Sequence, residues 1–314
     1  MSLERALALA ERGRGQVEQT HPLVGAVLVR DGEVVGEGWY VGRGSPHAEV
    51  AALEDAGERA RGATLYVSLE PCSHHGDTPS CADAVVAAGV ARVVAAAGDP
   101  NPKVDGKGFD RLRDAGLEVV VTDSWQARLQ NEAWRIWIAR GRPFVTYKVA
   151  MTLDGRVTVP GSRWVSGEAS RRRVHELRAA SDAVAVGMGT VRADDPALTA
   201  RDVGARSQPR RLAFGGGPLP EGSVLELRSG PLEEELTSLA GEGVQTLLLE
   251  GGPTLAGAFL TADLVDKLLM FVAPTISGEG AGPVAALPEP KAVSRLAAEP
   301  VGEDLLLTAY VHEP

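Results

Sequence analysis

Cysteine is nearly absent from the chain: Cys72 and Cys81 are the only two among 314 residues. So few exclude a disulfide framework and leave either one bridge or a shared ligand role. Positive charge is in deficit, with 32 Lys and Arg against 42 Asp and Glu, a net of −10. An acidic chain repels nucleic acid unless it segregates a basic face, which weighs against a nucleic-acid partner. Long apolar runs are missing too. The run ending Leu247-Leu248-Leu249 falls far short of the roughly 20 residues that cross a bilayer, so no membrane span is expected. Glu4 and Arg5 interrupt what would have to be the apolar stretch of a signal peptide; MSLERALALAERGRG reads as an amphipathic helix, and the expected location is cytoplasmic. No repeat of roughly 20–50 residues and no low-complexity tract is evident.

What is present is 44% apolar and 24% charged, a globular composition at a length that suggests two domains or one large one. VGAVLVRDGEVVGEGWY reads as two strands joined across Asp31-Gly32, a strong hairpin signal. HAEVAALEDAGERA follows as a helix with His47 and Glu49 in its first turn, then ATLYVSLEP as a strand ending at Pro71. CADAVVAAG is a short helix closed by Gly89, ARVVAAAGDP a strand, and GFDRLRDAGLEVVV a helix and a strand. This alternation predicts a layered α/β domain whose second half is largely parallel. Residues 123–140, with Trp125, Trp134 and Trp137, predict one helix that Gly141-Arg142-Pro143 breaks, and the domain boundary is placed there. A second α/β series runs from PFVTYKVAMTLDG to DLLLTAYVHE, with a loop-rich stretch at 201–232.

Chemistry concentrates first in His47-Ala48-Glu49 and in Cys72 and Cys81. Imidazole and thiolate suit zinc, and three protein ligands leave the fourth tetrahedral position open, the catalytic arrangement. A glutamate two residues past the histidine, beside the metal rather than on it, can take the proton of an activated water and return it to a leaving amine. The H-x-E and P-C pattern of zinc deaminases thus matches in type and order, although PCSHHGDTPSC replaces C-x-x-C. His47 and Cys81 both begin predicted helices, where the dipole favours thiolate. The bland alternative is a pair of buried thiols with Glu49 as a helix cap. His74 and His75, between the cysteines, are read as loop residues shaping the pocket, with ligand status the lesser alternative.

The second half has no G-x-G-x-x-G after its first strand, so a Rossmann dinucleotide domain is not supported. It offers LLLEGGPTLAG, a strand feeding through glycines into a helix, whose bare N–H groups suit phosphate and to which Thr254 can add a hydroxyl. A simple strand-to-helix turn explains the same residues.

LEPCSHHGDTPSC, with HAE, VGAVLV and GDPNPKVDGKG, resembles the bifunctional deaminase-reductase family of riboflavin biosynthesis, and the similarity runs over nearly the whole chain. The resemblance implies a cytidine-deaminase-like three-layer α/β/α domain at 1–122, a linker helix at 123–143 and a dihydrofolate-reductase-like α/β domain at 144–314. In the first, His47, Cys72 and Cys81 would bind Zn2+ and Glu49 would shuttle the proton as the ring amino group of diaminohydroxyphosphoribosylaminopyrimidine leaves as ammonia. In the second, KVAMTLDGRV, SRWVSGEASRRRVHELR, VGMGTVRADDPALTAR and EGGPTLAG follow in the family's order. There NADPH would reduce the opened ribose of the deaminated product to a ribityl chain. Ala150, Trp164, Thr190, Asp194 and the run Gly252, Pro253, Thr254, Leu255, Ala256, Gly257, Ala258 would contact NADPH. Ser162, Arg178, Leu198, Arg201 and Glu250 would hold the phosphorylated substrate, with Arg178 and Arg201 as phosphate clamps and Arg171 to Arg173 as a solvated face. Lys148 and Asp154 are both candidates for polarising or protonating the carbonyl. A homo-oligomer assembled through the reductase domain is implied as well.

The chain departs from the family pattern in three places. Thr20-His21-Pro22-Leu23-Val24-Gly25 is either two residues short of the family's Thr-x-Pro-Asn-Pro-x-Val-Gly or has His21 in place of the pyrimidine-facing asparagine. Asp77 stands where a basic residue is usual, and an acid there repels phosphate. Gly215-Gly216 replace an Asp-Ser pair. These predict weakened or altered deamination and weaker cofactor binding. The alternatives are a reductase-only enzyme with a zinc-stabilised first domain, a deaminase for another substrate, a nucleic-acid-editing deaminase and a non-enzymatic zinc module. The acidic balance opposes the third, and Glu49, useless to a structural site, opposes the last.

Overall fold

A computed structural model describes residues 2–17, 20–73 and 80–314. The chain forms two compact units, residues 1–140 with Pro314 and residues 141–313. In the first, the order is α1 (Ser2–Glu11), β1 (Gly25–Arg30), β2 (Glu33–Trp39), α2 (Ala48–Ala56), β3 (Thr64–Val67), α3 (Cys81–Ala87), β4 (Arg92–Ala95), α4 (Lys107–Asp114), β5 (Glu118–Val121), α5 (Trp125–Gln130) and α6 (Glu132–Arg140). The sheet order is β2-β1-β3-β4-β5, with β1 antiparallel to both neighbours and β3, β4 and β5 parallel. Asp31 and Gly32 turn the hairpin with φ of 52° and 83°, the two positive values that match the twist of the flanking strands.

Helix α2 presents Ala48, Ala52 and Ala56 to a core with Leu28, Leu65 and Val93. It lies directly on β2 because that strand offers glycines: a Cβ at Gly38 would stand 2.3 Å from the Ala48 carbonyl oxygen, and one at Gly36 2.3 Å from that of Ala52. The start of α2, and with it His47 and Glu49, is seated by this contact. The single helix expected over 123–140 is two. Asn131 interrupts it with φ −116°, its side chain accepting from the Leu23 N–H at 2.8 Å and donating to the Leu23 carbonyl at 3.0 Å. Both helices cluster with the first unit.

The second unit contains β6 (Phe144–Thr152), α7 (Glu168–Ala179), β7 (Ala183–Gly187), α8 (Met188–Asp194), β8 (Arg210–Phe214), β9 (Glu226–Arg228), α9 (Leu232–Gly241), β10 (Thr246–Leu249), α10 (Pro253–Thr261), β11 (Lys267–Ala273), β12 (Ser294–Val301) and β13 (Asp304–Tyr310). Its sheet runs β12-β13-β11-β6-β10-β7-β8-β9; the strands from β11 to β9 are parallel, and β13 pairs antiparallel with β11 and β12. Tyr147, Leu247, Leu249, Phe259 and Phe271 are fully buried in it. Helices α8 and α9 and strands β9 and β12 were not expected from the sequence. Strand β12 is exposed along most of its length and so has no apolar alternation to read; pairing with β13 holds it as an edge. At the start of β6, Arg142 forms a bidentate pair with the buried Asp266, 2.7 Å on each side. Burial pushes Asp266 up, but Arg142 and His312 outweigh it and hold the carboxyl below its ordinary range. Among the described residues no helix is long and apolar enough to cross a membrane.

Candidate active sites

The first site lies beyond the carboxyl ends of β3 and β4, where parallel strands hand over to loops and helix N-termini. His47 is the N-cap of α2 and makes no side-chain cap bond, so its ring is available to other partners. Cys81 opens α3, whose own cap is Ser80, accepting from the Asp83 N–H at 3.1 Å. His47 Nδ1 stands 3.2 Å from Cys81 Sγ and 3.7 Å from Cys72 Sγ, and the donor atoms of the three residues lie within 4.8 Å of one another. One imidazole and two sulfurs at that spacing, two of them at helix starts, fit a tetrahedral zinc ion with one position open.

Hydrogen bonds from Cys81, whose backbone N–H reaches Cys72 Sγ at 3.3 Å, and from His47 hold the Cys72 thiol down to about 4. The same Cys72 sulfur and burial push the Cys81 thiol up, and Cys72 also raises His47. Glu49 is 3% exposed, and its burial, with Cys72 close by, pushes its carboxyl up to about 7. A carboxyl poised there takes and releases a proton in neutral water.

A cavity of ≈ 270 Å³ opens onto His47, Glu49 and Cys72, lined also by Thr20, His21, Pro22, Tyr40, Glu70, Asp99, Asn101, Trp134 and Ile138. The His21 and His47 rings each lie 5.6 Å from Tyr40. Asp99 is 8% exposed, and burial pushes its carboxyl up to about 6. Tyr40, Glu70, Asp99, Asn101, Trp134 and Ile138 are not among the functional residues that the sequence singles out. Asp99 and Asn101 carried a usable signal, as polar residues directly after a parallel strand; Trp134 and Ile138 come from a helix expected only to link. His74, His75 and Asp77 lie outside the described residues.

In the second unit the expected residues gather at the carboxyl ends of β6, β7 and β10. Lys148 and Ala150 lie on β6; Glu250 follows β10. The structure brings together Lys148, Arg178 and Glu250: Arg178 donates twice to Glu250, and Lys148 Nζ is 3.4 Å from it. It also brings Thr190 to Gly252, where a Cβ would lie 3.7 Å from Thr190 Oγ1. Helix α10 starts at Gly252 with Pro253 in its first turn and no side-chain cap. An uncapped helix start behind two glycines fits the phosphates of a nucleotide.

Other expected residues stand differently. Leu198 has φ 49° and packs its side chain with Met188 and Val191, leaving its backbone for any ligand. Ala256 is fully buried in the core. Asp194 and Arg201 are exposed, and the Arg201 N–H reaches His175 Nδ1 at 3.3 Å. Ser162 Oγ donates to the Trp164 carbonyl, and Trp164, 52% exposed, has the guanidinium groups of Arg163 and Arg171 5.0 and 5.2 Å from its ring. Thr152 Oγ1 and the N–H groups of Ser277 and Gly278 donate to Asp154 and hold its carboxyl down to about 2. At Gly215, φ of 126° and a Cβ position 3.3 Å from Met188 Cγ require glycine, which accounts for one half of the Gly-Gly departure.

Residues 2–97 match the zinc-binding region of cytidine and deoxycytidylate deaminases, and residues 143–217 and 221–307 match the RibD C-terminal domain. A cytidine-deaminase-like domain with a His-Cys-Cys zinc site, followed by a dihydrofolate-reductase-like domain, defines a bifunctional deaminase and reductase. The chain is 39% identical to the riboflavin biosynthesis protein RibD of Aquifex aeolicus, over 97% of this chain and 96% of that protein. It is 40% identical to that of Mycobacterium tuberculosis, over 98% and 97%. Among solved structures, Acinetobacter baumannii RibD superposes with a TM-score of 0.81 at 35% identity, over 98% of this chain and 97% of that one. A Thermotoga maritima protein described as a diaminohydroxyphosphoribosylaminopyrimidine deaminase/5-amino-6-(5-phosphoribosylamino)uracil reductase superposes with a TM-score of 0.77 at 32% identity, over the same shares. The chain belongs to the RibD family of bifunctional deaminase-reductases of riboflavin biosynthesis.

Proposed function

We propose that this chain deaminates diaminohydroxyphosphoribosylaminopyrimidine in its first domain and reduces 5-amino-6-(5-phosphoribosylamino)uracil with NADPH in its second. The observation that carries the reading is the cluster of His47, Cys72 and Cys81 with the buried Glu49 beside it. Zn2+ held by that trio supplies the Lewis acidity that makes water a nucleophile near neutral pH. Glu49 is placed to accept a proton from water and deliver it to the ring amino group, which leaves as ammonia while the water oxygen bonds to the ring carbon; its burial raises the carboxyl in the direction that this proton transfer needs. His21, Asp99 and Asn101 offer donors and acceptors to the pyrimidine edge, and Trp134 and Ile138 contribute an apolar wall to the same cavity.

In the second domain the uncapped start of α10 behind Gly251-Gly252 receives the cofactor's phosphates, with Thr190 alongside. NADPH bound there supplies hydride to the opened sugar. Lys148, held by Glu250, directs its ammonium to the carbonyl oxygen and is the proton source, since Asp154 is ionised at neutral pH. Neither cysteine is in a disulfide, which accords with a reducing cytoplasm.

The test is a zinc determination on purified protein together with separate assays of ammonia release from the first substrate and NADPH oxidation with the second. One zinc per chain and turnover in both assays are expected. NADPH oxidation without ammonia release from zinc-loaded protein would overturn the first assignment and leave a reductase.

A further inference from the structure

Glu70 lies two residues before the ligand Cys72 and is 4% exposed. Its carboxylate accepts four backbone N–H groups, all from one segment: Oε2 takes those of Asp99 at 3.2 Å and Gly106 at 3.1 Å, and Oε1 those of Gly108 at 2.9 Å and Phe109 at 3.4 Å. Among the described residues no cation pairs with it. A buried carboxylate without a cation is costly unless hydrogen bonds satisfy it, and here a helix start does so. Gly106 is the N-cap of α4 and has no capping side chain of its own; Glu70 occupies the place of the missing cap, at the positive end of the helix. Contact is close enough to demand glycine, since a Cβ at Gly108 would stand 1.9 Å from the Pro71 carbonyl oxygen.

The gripped segment carries Asp99 and Asn101, which line the cavity. Within it, Asp99 Oδ1 accepts the Asn101 N–H at 2.8 Å and Asn101 Oδ1 that of Lys103 at 3.1 Å, so the segment moves as a piece. We propose that Glu70 is a positioning residue for deamination: it joins the connection bearing Cys72 to the segment bearing Asp99 and Asn101, so that the metal side and the substrate side of the cavity are held in one register. Glu70 touches no reacting atom; it acts through the residues it fixes. The inference rests on the deaminase reading above.

Glu70→Gln is the direct test, because a carboxamide has one acceptor oxygen and turns its NH2 on two of the four donors. KM for ammonia release should rise about tenfold or more, the scale of one lost charge-assisted hydrogen bond. Zinc content and NADPH oxidation with the deaminated substrate should match the parent chain. Glu70→Asp, which keeps the charge and withdraws it by one methylene, should shift KM in the same direction and stands in if the amide variant does not fold. In the unmutated protein, hydrogen exchange at Asp99, Gly106, Gly108 and Phe109 should be slow and should rise together in either variant. Unchanged KM in a folded, zinc-loaded variant overturns the proposal, as does fast exchange at these four amides in the parent. Absence of ammonia release from the parent would instead overturn the deaminase reading.

Discussion

Arg178 holds Glu250 with two sides of its guanidinium, Nε at 2.6 Å and Nη2 at 2.9 Å from the two carboxylate oxygens. Burial pushes Glu250 up, but Lys148 and Arg178 together hold it below the ordinary carboxylate range. The guanidinium fork that the family resemblance assigns to a substrate phosphate is therefore engaged within the chain, and Nη1, on the Thr199 carbonyl at 3.2 Å, is its remaining arm.

Removing that pairing should cost stability. The Glu250 side chain is 8% exposed and that of Arg178 15%, so Arg178→Ala leaves a largely buried carboxylate facing Lys148 alone, at a cost of about 3 kcal/mol. Arg178→Lys should recover less than half, because an ammonium cannot bond both oxygens in one plane. Urea unfolding of the second domain measures both, and an unchanged midpoint in Arg178→Ala would contradict the pairing's role.

Glu49→Gln should retain zinc, since the carboxylate is beside the ligand trio, and should lower kcat for ammonia release by about 10²–10⁴, the usual worth of a positioned general base. NADPH oxidation by the same variant should be unaffected. Ammonia release at the parent rate would remove Glu49 from the mechanism.

The pH behaviour of the reductase should distinguish Lys148 from Asp154. The folded-state pKa of Asp154, about 2, lies below its unfolded value of about 3.9. Its stabilising contribution is therefore fully present above about pH 4 and is lost as pH falls through about 2. It carries no proton to donate between pH 5 and 9. Asp154→Asn should leave the pH profile of kcat for NADPH oxidation without a lost limb, whereas Lys148→Met should abolish turnover. A limb that disappears in Asp154→Asn would reverse the assignment.

Gly38→Ala should reach the zinc site from the far side of helix α2. The added methyl would fall 2.3 Å from the Ala48 carbonyl oxygen, and the resulting displacement costs about 1–3 kcal/mol. Because His47 and Glu49 stand at that end of the helix, zinc should be stripped by a chelator faster than from the parent. Equal stripping rates would mean that the helix start is seated by other contacts.

The alternation of strands and helices, the Asp31-Gly32 hairpin, the zinc trio and the glutamate beside it are legible in the amino-acid sequence. Local chemistry specifies these: a two-residue turn needs positive φ, and a zinc deaminase needs one imidazole, two thiolates and a nearby carboxylate in a short run. Features that rest on partners far along the chain emerge only from the folded molecule. Asn131 breaks a helix because Leu23 offers it both an N–H and a carbonyl; Glu70 caps a helix that begins 37 residues later; and strand β12, exposed and without alternation, is held by hydrogen bonds to β13. Arg178 looked like a free cation for the same reason, since its partner Glu250 is 72 residues away. The two cysteines and His47 come together as their residue types suggest, but the walls of the cavity beside them, from His21 to Ile138, are set by long-range contacts that periodicity and spacing do not encode.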